Sequence, residues 1–368
     1  MKIKPENYNY HQPEFKGIYN NKAFLKGLET ISDHGTSFVA GVSLASSLFL
    51  RPLAIQMAPS VEKENKKYAG VNSVASGIAR FLTVEAIALP IENAIKNIDK
   101  NPNKFLKKET MDNLKNGAKS LVESKDYKFA TQVLKLGVNF VTAIPKSMLT
   151  IALIPIIMDK FINKKNKNLP DTPLKKENYD PVFSPFFKGN IQNKISSGVG
   201  KILDIKEVQG LIQKYSKNDQ NIARNISMAT DVLLTSAFAI QTKKNKKIEE
   251  ERKKPLILNN LISTGITLLG GYTIDNLIQK GGKNFLEKFK NANKNNPKLP
   301  KYIEGLNILR PTLIFAGLYY GILPIASTFL AEKTDKLTKK SSFQGNISWF
   351  FPFLFFIIWS NFCCKQRR

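Results

Sequence analysis

Seven ionisable side chains lie within or at the edge of apolar stretches of this sequence. A charge surrounded by apolar residues is costly unless it is paired, so these residues are candidates for binding a solute or relaying a proton. Alternatively, they form the polar faces of amphipathic helices, or their long basic side chains reach water from an interface. The candidate intramembrane polar site comprises Arg51, Arg80, Glu85, Glu92, Lys146, Asp275 and Arg310.

Three of these residues lie close together on one predicted helix. Arg80 and Glu85 are five residues apart, and Glu92 follows two turns later. A proton or substrate relay would use such a series, and an ordinary amphipathic helix would show it too. Lys146 and Asp231 are single charges for which the sequence suggests no partner.

Two arginines directly precede prolines, in Arg51-Pro52 and Arg310-Pro311. Proline removes a backbone donor and can break a helix. Helices broken at corresponding positions of two repeats point to the binding site of a transporter, and Pro145 and Pro155 in one half with Pro311 and Pro324 in the other fit that pattern. The simpler interpretation is that membrane helices tolerate proline.

The sequence offers little for classical catalysis. Its two histidines, His11 and His34, do not have metal-ligand spacing, and no nucleophile elbow or phosphate-binding loop is present. The polar run at residues 33–37 is interpreted as the start of a helix, with Ser32 or Asp33 as its N-cap. We therefore predict no enzyme, no cofactor and no metal site.

The chain is strongly basic, with 56 Lys and Arg residues against 29 Asp and Glu residues and a net charge of +27. The lysines are spread along the whole chain instead of forming one basic face, so nucleic-acid binding is not expected. The predicted partner is a lipid bilayer, whose anionic headgroups would attract the basic connectors.

The elements that must position these residues are long apolar blocks. Residues 255–274, 311–331 and 345–364 are free of charge over the length needed to cross a bilayer. Four further blocks, at 38–58, 69–95, 133–158 and 225–241, contain isolated charges. Their length favours helices over strands. The predicted fold is therefore all-α, a multi-pass helical membrane bundle, and the alternative is a soluble helical protein with two cores.

Matched phrases indicate an internal duplication. Ile-Glu-Asn-Ala-Ile at 91–95 corresponds to Ile-Asp-Asn-Leu-Ile at 274–278, and residues 153–156 correspond to 322–325. A short phrase beginning with Phe15, Phe187 or Phe343 introduces each section. We predict two tandem three-helix repeats plus a C-terminal apolar helix. The segments are a polar N-terminal segment (1–37), a first unit (38–163), a lysine-rich connector (164–221), a second unit (222–342) and an aromatic apolar tail helix (343–368).

Orientation and function are less constrained. A unit with three spans would invert its neighbour, but lysines fall on both sides of such a bundle, and residues 69–95 are the block least suited to span. The predicted function is a non-enzymatic integral membrane protein, a small-solute or ion transporter with pseudo-symmetric halves. The alternative is a non-catalytic membrane-associated scaffold whose basic loops face lipid. A soluble helical protein that binds acidic ligands is the third class.

Overall fold

The structure is a computed structural model that describes residues 17–58, 63–161, 189–216, 221–245, 248 and 250–326. This part of the chain is almost wholly helical and contains no strand. The tail at 343–368, and the phrases that begin at Phe15, Phe187 and Phe343, lie wholly or largely outside the described residues. The helices are α1 (Lys22–Asp33), α2 (Gly35–Met57), α3 (Lys63–Lys100), α4 (Lys108–Lys115), α5 (Lys125–Val141), α6 (Ala143–Phe161), α7 (Gly189–Leu203), α8 (Lys206–Tyr215), α9 (Ile222–Lys244), α10 (Glu250–Gly281), α11 (Lys283–Ala292) and α12 (Leu299–Ala326).

Two of the long helices contain a wider π-helical turn. In α2 this turn covers Ser46–Leu50 and ends just before Arg51-Pro52, so the helix continues past the proline instead of breaking. In α12 the π turn covers Gly317–Ile322, six residues after Pro311. Such turns re-aim the side chains that follow them and are frequent at functional sites.

Each predicted unit begins with an antiparallel pair of long helices. In the α2–α3 pair, the Thr36 amide contacts Glu92 at one end and Ser73 donates to the Ser47 carbonyl near the other. In the α9–α10 pair, Arg224 contacts Asp275 at one end and Thr235 contacts Thr264 further along.

The third block of each unit packs against the first helix of the other. From the first unit, α6 lies beside α9 in the same direction, with α5 near the start of α9 and Ser147 bonded to Gln241 near its end. From the second unit, α12 lies beside α2 in the same direction, since Ile308 approaches Gly35 and Tyr319 approaches Arg51.

The two predicted units therefore point the same way. Helices α2, α5–α6, α9 and α12 run in one direction, and α3 and α10 run in the other. This differs from the inversion expected for three-span units, because the chain turns back between α6 and α9. On that return α7 runs alongside α3. Gln192 donates a hydrogen bond to the Pro90 carbonyl, and Asn97 donates one to the Ser196 hydroxyl.

One end of the molecule is a layer of short helices, which we call the basal layer. It comprises α1, α4, α7, α8 and α11 with the adjoining ends of α3, α5 and α12. Ile98, Leu114 and Leu203 belong to one of its apolar cores, and Leu28 and Phe289 to another. The remaining parts of the long helices form a bundle above this layer.

The long-helix bundle exposes large apolar side chains on its outside, and its interior combines apolar residues such as Val84 and Leu268 with buried polar ones. Phe49, Met57 and Leu269 are 68%, 73% and 58% exposed, whereas Thr235 and Thr264 are buried and bonded to each other. A water-soluble protein usually shows the opposite distribution, while helices in lipid can expose apolar side chains and use hydroxyls to hold one another. Among the described residues, Gly35–Met57, Ala69–Lys100 and Leu299–Ala326 are long and apolar enough to cross a membrane.

The second of these helices covers the block that its charges made least suited to span. In the structure those charges have partners inside the protein. Arg80 donates to the Thr150 hydroxyl, and Glu92 is fully buried and hydrogen-bonded. Pairing inside the bundle lowers the cost of placing such a helix in lipid.

Gly305 allows α12 to pack closely on α1, which gives a first test of the fold. A Cβ atom at Gly305 would lie 2.2 Å from the Leu28 carbonyl oxygen, so the backbones would have to separate. We expect Gly305→Ala to destabilise the protein by about 1–3 kcal/mol, measured as a lower melting temperature in detergent. Gly27→Ala is the matched control, because nothing lies within 4 Å of a Cβ atom there. An unchanged melting temperature for Gly305→Ala would contradict the close packing.

Candidate functional site

A cavity lies in the interior of the long-helix bundle. It contains about 160 Å³ of space that water can occupy, at least ten times the 10–15 Å³ that one water needs. Its wall combines apolar side chains with many hydroxyls and amides, and both predicted units contribute to it. The polar lining residues are Ser43, Ser47, Arg80, Asn139, Lys146, Ser227, Thr230, Asp231, Thr235, Asn260, Thr264, Thr267, Thr312, Tyr319 and Tyr320. We call this space the central cavity.

Three charged side chains from three helices converge on the central cavity. Arg80 of α3 donates through Nε to the Thr150 hydroxyl at 3.0 Å, and Lys146 of α6 donates to Asn139 Oδ1 at 3.0 Å. Asp231 of α9 is close enough to both cations to interact electrostatically. The sequence suggested no partner for Lys146 or Asp231. These groups come together only through the packing of α6 against α3 and α9, which the sequence does not reveal.

Two tyrosines on the π turn of α12 complete the charged wall. The rings of Tyr319 and Tyr320 meet edge to face, with centroids 4.9 Å apart. The guanidinium of Arg51 lies 5.3 Å from the centre of the Tyr319 ring, and Arg80 interacts with both tyrosines. Arg51 therefore adjoins the central cavity through Tyr319 without lining it. The tyrosines carried no distinguishing signal in the sequence.

Glu92 closes the basal end of the α2–α3 pair. One of its oxygens accepts from the backbone amides of Thr36 at 3.0 Å and Ser37 at 3.1 Å, and the other accepts from the Ser37 hydroxyl at 2.9 Å. His34 Nδ1 lies 3.0 Å from this second oxygen. Helix α2 has no side-chain cap of its own, so Glu92 satisfies free amides at its positive end.

This arrangement corrects the predicted N-cap. Neither Ser32 nor Asp33 caps α2, because both bond to side chains of α12. The Ser32 hydroxyl donates to Glu304 at 2.8 Å, and Asp33 accepts from Lys301 at 2.8 Å. The polar run at 33–37 does begin a helix, but a carboxylate from another helix caps it.

Glu85 and Lys96 extend the cluster around Glu92. The Ser37 hydroxyl also lies 3.0 Å from one Glu85 oxygen, while the other Glu85 oxygen is buried without a partner among the described residues. Lys96 Nζ lies 2.7 Å from His34 Nε2. Opposite charges therefore flank the imidazole, with Glu92 on one side and Lys96 on the other.

Asp275 forms a second buried carboxylate site, in the second unit. The side chain is fully buried and accepts from Arg224 Nη1 at 2.8 Å and Arg310 Nε at 2.6 Å. Gln279 donates to it at 2.6 Å, and the Arg224 guanidinium lies 4.3 Å from the centre of the Tyr272 ring. Sequence reasoning missed Arg224, although an arginine at the start of an apolar block in an arginine-poor chain was an available signal.

The seven predicted residues are thus divided among three places. Arg80 and Lys146 line the central cavity, with Arg51 beside it. Glu85 and Glu92 lie at the start of α2, and Asp275 and Arg310 lie near the start of α9. Within the described part of the chain, no three His, Cys, Asp or Glu side chains are grouped so that they could hold a metal ion.

Comparison with models of known protein families, with curated proteins and with solved structures finds no match to this chain. A function for this chain must therefore be inferred from its sequence and geometry.

The Asp275 site gives a test of buried charge pairing. Asp275→Asn leaves Arg224 and Arg310 buried without their counter-charge, so we expect a loss of about 3–5 kcal/mol of stability, seen as a large drop in melting temperature. Glu109→Gln is the matched acid-to-amide control, because its pair with Lys206 is exposed on both sides and should contribute little. Equal melting temperatures for the two variants would rule out Asp275 as the group that holds Arg224 of α9 and Arg310 of α12 in place.

Proposed function

We propose that this protein is an integral membrane protein that carries a small solute or ion through the central cavity. One observation carries the proposal: a cavity whose wall includes charged and hydroxyl side chains lies inside a bundle that exposes large apolar residues. Ligand sites of membrane carriers are built in this way, near the middle of the membrane and between the halves of the protein.

The distribution of side chains supports membrane insertion. The described chain has three helices of suitable length and composition, and apolar residues such as Leu53, Leu258 and Leu313 are exposed on the bundle. Contiguous apolar surface of this kind marks contact with lipid or with another protein. Lipid is the proposed partner because the exposed residues lie on several long helices of the bundle.

Matching contacts support two repeated units. In both, the second long helix carries a fully buried carboxylate, Glu92 or Asp275, that contacts the first turn of the preceding long helix. In both, the first long helix packs on the third block of the other unit. Because the units point the same way, they would be related by an axis along the membrane normal, as in one class of transporters.

The helix directions limit which blocks cross. The α2–α3 and α9–α10 pairs each leave and return to the basal layer, and α12 starts from it. The α5–α6 block also starts there, and α7 begins beside Pro90, near the same layer. We therefore propose that α2, α3, α9, α10 and α12 cross the bilayer. The α5–α6 block packs against α3 and α9, and its Val141 and Met148 side chains are 67% and 58% exposed.

A scaffold function is the second candidate, and the basal layer favours it. Exposed lysines such as Lys108, Lys201 and Lys206 lie on its helices. Such a surface suits anionic headgroups or an acidic partner at the membrane face. Headgroup contact is compatible with transport, whereas a scaffold would show no solute flux.

Topology reporters test the proposed crossings. Reporters inserted near Lys115 and Lys288 should report the same side of the membrane, because α4 and α11 both belong to the basal layer. A reporter after Ala58, at the far end of α2, should report the opposite side. Opposite sides for Lys115 and Lys288 would contradict the parallel arrangement of the two proposed units.

A panel of chemically different solutes tests transport while the substrate is still unidentified. The purified protein in liposomes would be mixed rapidly with glycerol, urea, sodium lactate or potassium chloride, and volume changes followed by light scattering. We expect at least one solute to enter faster than into empty liposomes, and Ser227→Trp to abolish that excess by filling the cavity. Ile240→Trp, on the exposed side of the same helix, is the control and should retain it. Rates equal to empty liposomes for every solute would reject transport.

A further inference from the structure

We infer that the central cavity binds a small monoanion, specifically a monocarboxylate with a compact apolar part, between Arg80 and Lys146. This inference names the substrate class of the proposed carrier and rests on that function for its meaning. Binding itself can be measured separately from transport.

The charge balance of the cavity wall carries the inference. Among the lining residues, Arg80 and Lys146 contribute two positive charges and Asp231 one negative charge, which leaves one positive charge in excess. An uncompensated charge within a membrane protein is expensive. One bound anion would neutralise the wall, whereas a cation would be repelled and a neutral solute would leave the excess charge in place.

The wall also offers hydrogen-bond donors to a ligand. Lys146 uses one of its three donors on Asn139, and Arg80 donates through Nε to Thr150 and also interacts with Tyr319 and Tyr320. A ligand oxygen at Arg80 would therefore take over hydrogen bonds that the two tyrosines make with the guanidinium. A carboxylate has two acceptor oxygens that match the fork of a guanidinium and the point charge of an ammonium.

Asp231 sets the number of ligand charges. It interacts with both cations, so a ligand must compete with its carboxylate. A dianion would exceed the net positive charge of the lining residues and would meet repulsion from Asp231. Val39, Phe81, Leu234 and Phe315 supply apolar surface in the same cavity, which suits the uncharged part of a carboxylate.

Binding to the purified full-length protein in detergent tests the inference. Sodium lactate and sodium benzoate would be titrated at constant ionic strength, with the neutral amides lactamide and benzamide and the cation benzylamine as probes of the other classes. The carboxylates should give saturable binding by calorimetry and raise the melting temperature, and the amides and the amine should do neither. Amides that bind as tightly as their carboxylates would overturn the inference.

Charge variants test the assigned roles. Lys146→Gln and Arg80→Gln should weaken carboxylate binding by about tenfold or more, which corresponds to about 1.4 kcal/mol or more. Asp231→Asn should strengthen it, because the competing carboxylate is gone. Lys135→Gln is the matched control, since Lys135 is also buried but donates to the Ser32 carbonyl outside the cavity. An equal loss in Lys146→Gln and Lys135→Gln, or weaker binding in Asp231→Asn, would contradict the proposed site.

The outcomes separate this inference from the proposed function. Flux of a neutral solute that Ser227→Trp abolishes, together with no carboxylate binding, would overturn the monoanion and leave the carrier. Carboxylate binding that depends on Lys146, with no flux of any solute, would overturn the carrier and leave the binding site. If Arg80→Gln does not fold, the inference is still tested by the ligand series on the unsubstituted protein and by the pair of Lys146→Gln and Asp231→Asn.

Discussion

The buried carboxylate at the base of each helix pair is the interaction on which the rest of the bundle depends. Glu92 binds the free amides of Thr36 and Ser37, and this contact sets the register of α3 against α2. With that register, Ser73 donates to the Ser47 carbonyl further along, and Gly77 comes so close to Ser47 that a Cβ atom there would lie 2.4 Å from the serine Cβ. Arg80, one turn beyond Gly77 on the way back to Glu92, then faces the central cavity.

The second unit reaches a similar result with different chemistry. Asp275 binds two arginines instead of backbone amides, and Arg310 comes from α12, so the same carboxylate also fastens the third block. Gly271 then accepts the ring of Phe315, because a Cβ atom at Gly271 would lie 2.3 Å from that ring. The close approach of α10 and α12 helps to bring the π turn of α12, with Tyr319 and Tyr320, to the cavity.

The sequence predicted helices well because apolar blocks of this length and composition leave few alternatives. The correspondence between Glu92 and Asp275 could also be predicted, because they occupy the same position in two matched five-residue phrases. The convergence of Arg80, Lys146 and Asp231 was not, because three separate helices carry them and only packing decides which faces meet. The direction of the second unit was likewise hidden, since it depends on the return of the chain between α6 and α9. The prediction of the N-cap was wrong because Ser32 and Asp33 bond to side chains of α12, which lie about 270 positions away in the sequence.

The carboxylates of the three polar sites differ in how fully their hydrogen bonds are satisfied, although one Glu85 oxygen, Arg224 Nε and Arg310 Nη2 are buried without a partner among the described residues. Glu92 accepts three hydrogen bonds and contacts His34, and Asp275 accepts three from cationic or amide donors, so neither has much to gain from a ligand. Asp231, in contrast, accepts no hydrogen bond from the described residues, and Lys146 makes one. Polar groups with unspent hydrogen-bonding capacity gain most when a complementary ligand arrives. The difference therefore favours a structural role for Glu92 and Asp275, which fasten helices, and agrees with the proposal that the charges of the central cavity select what it binds.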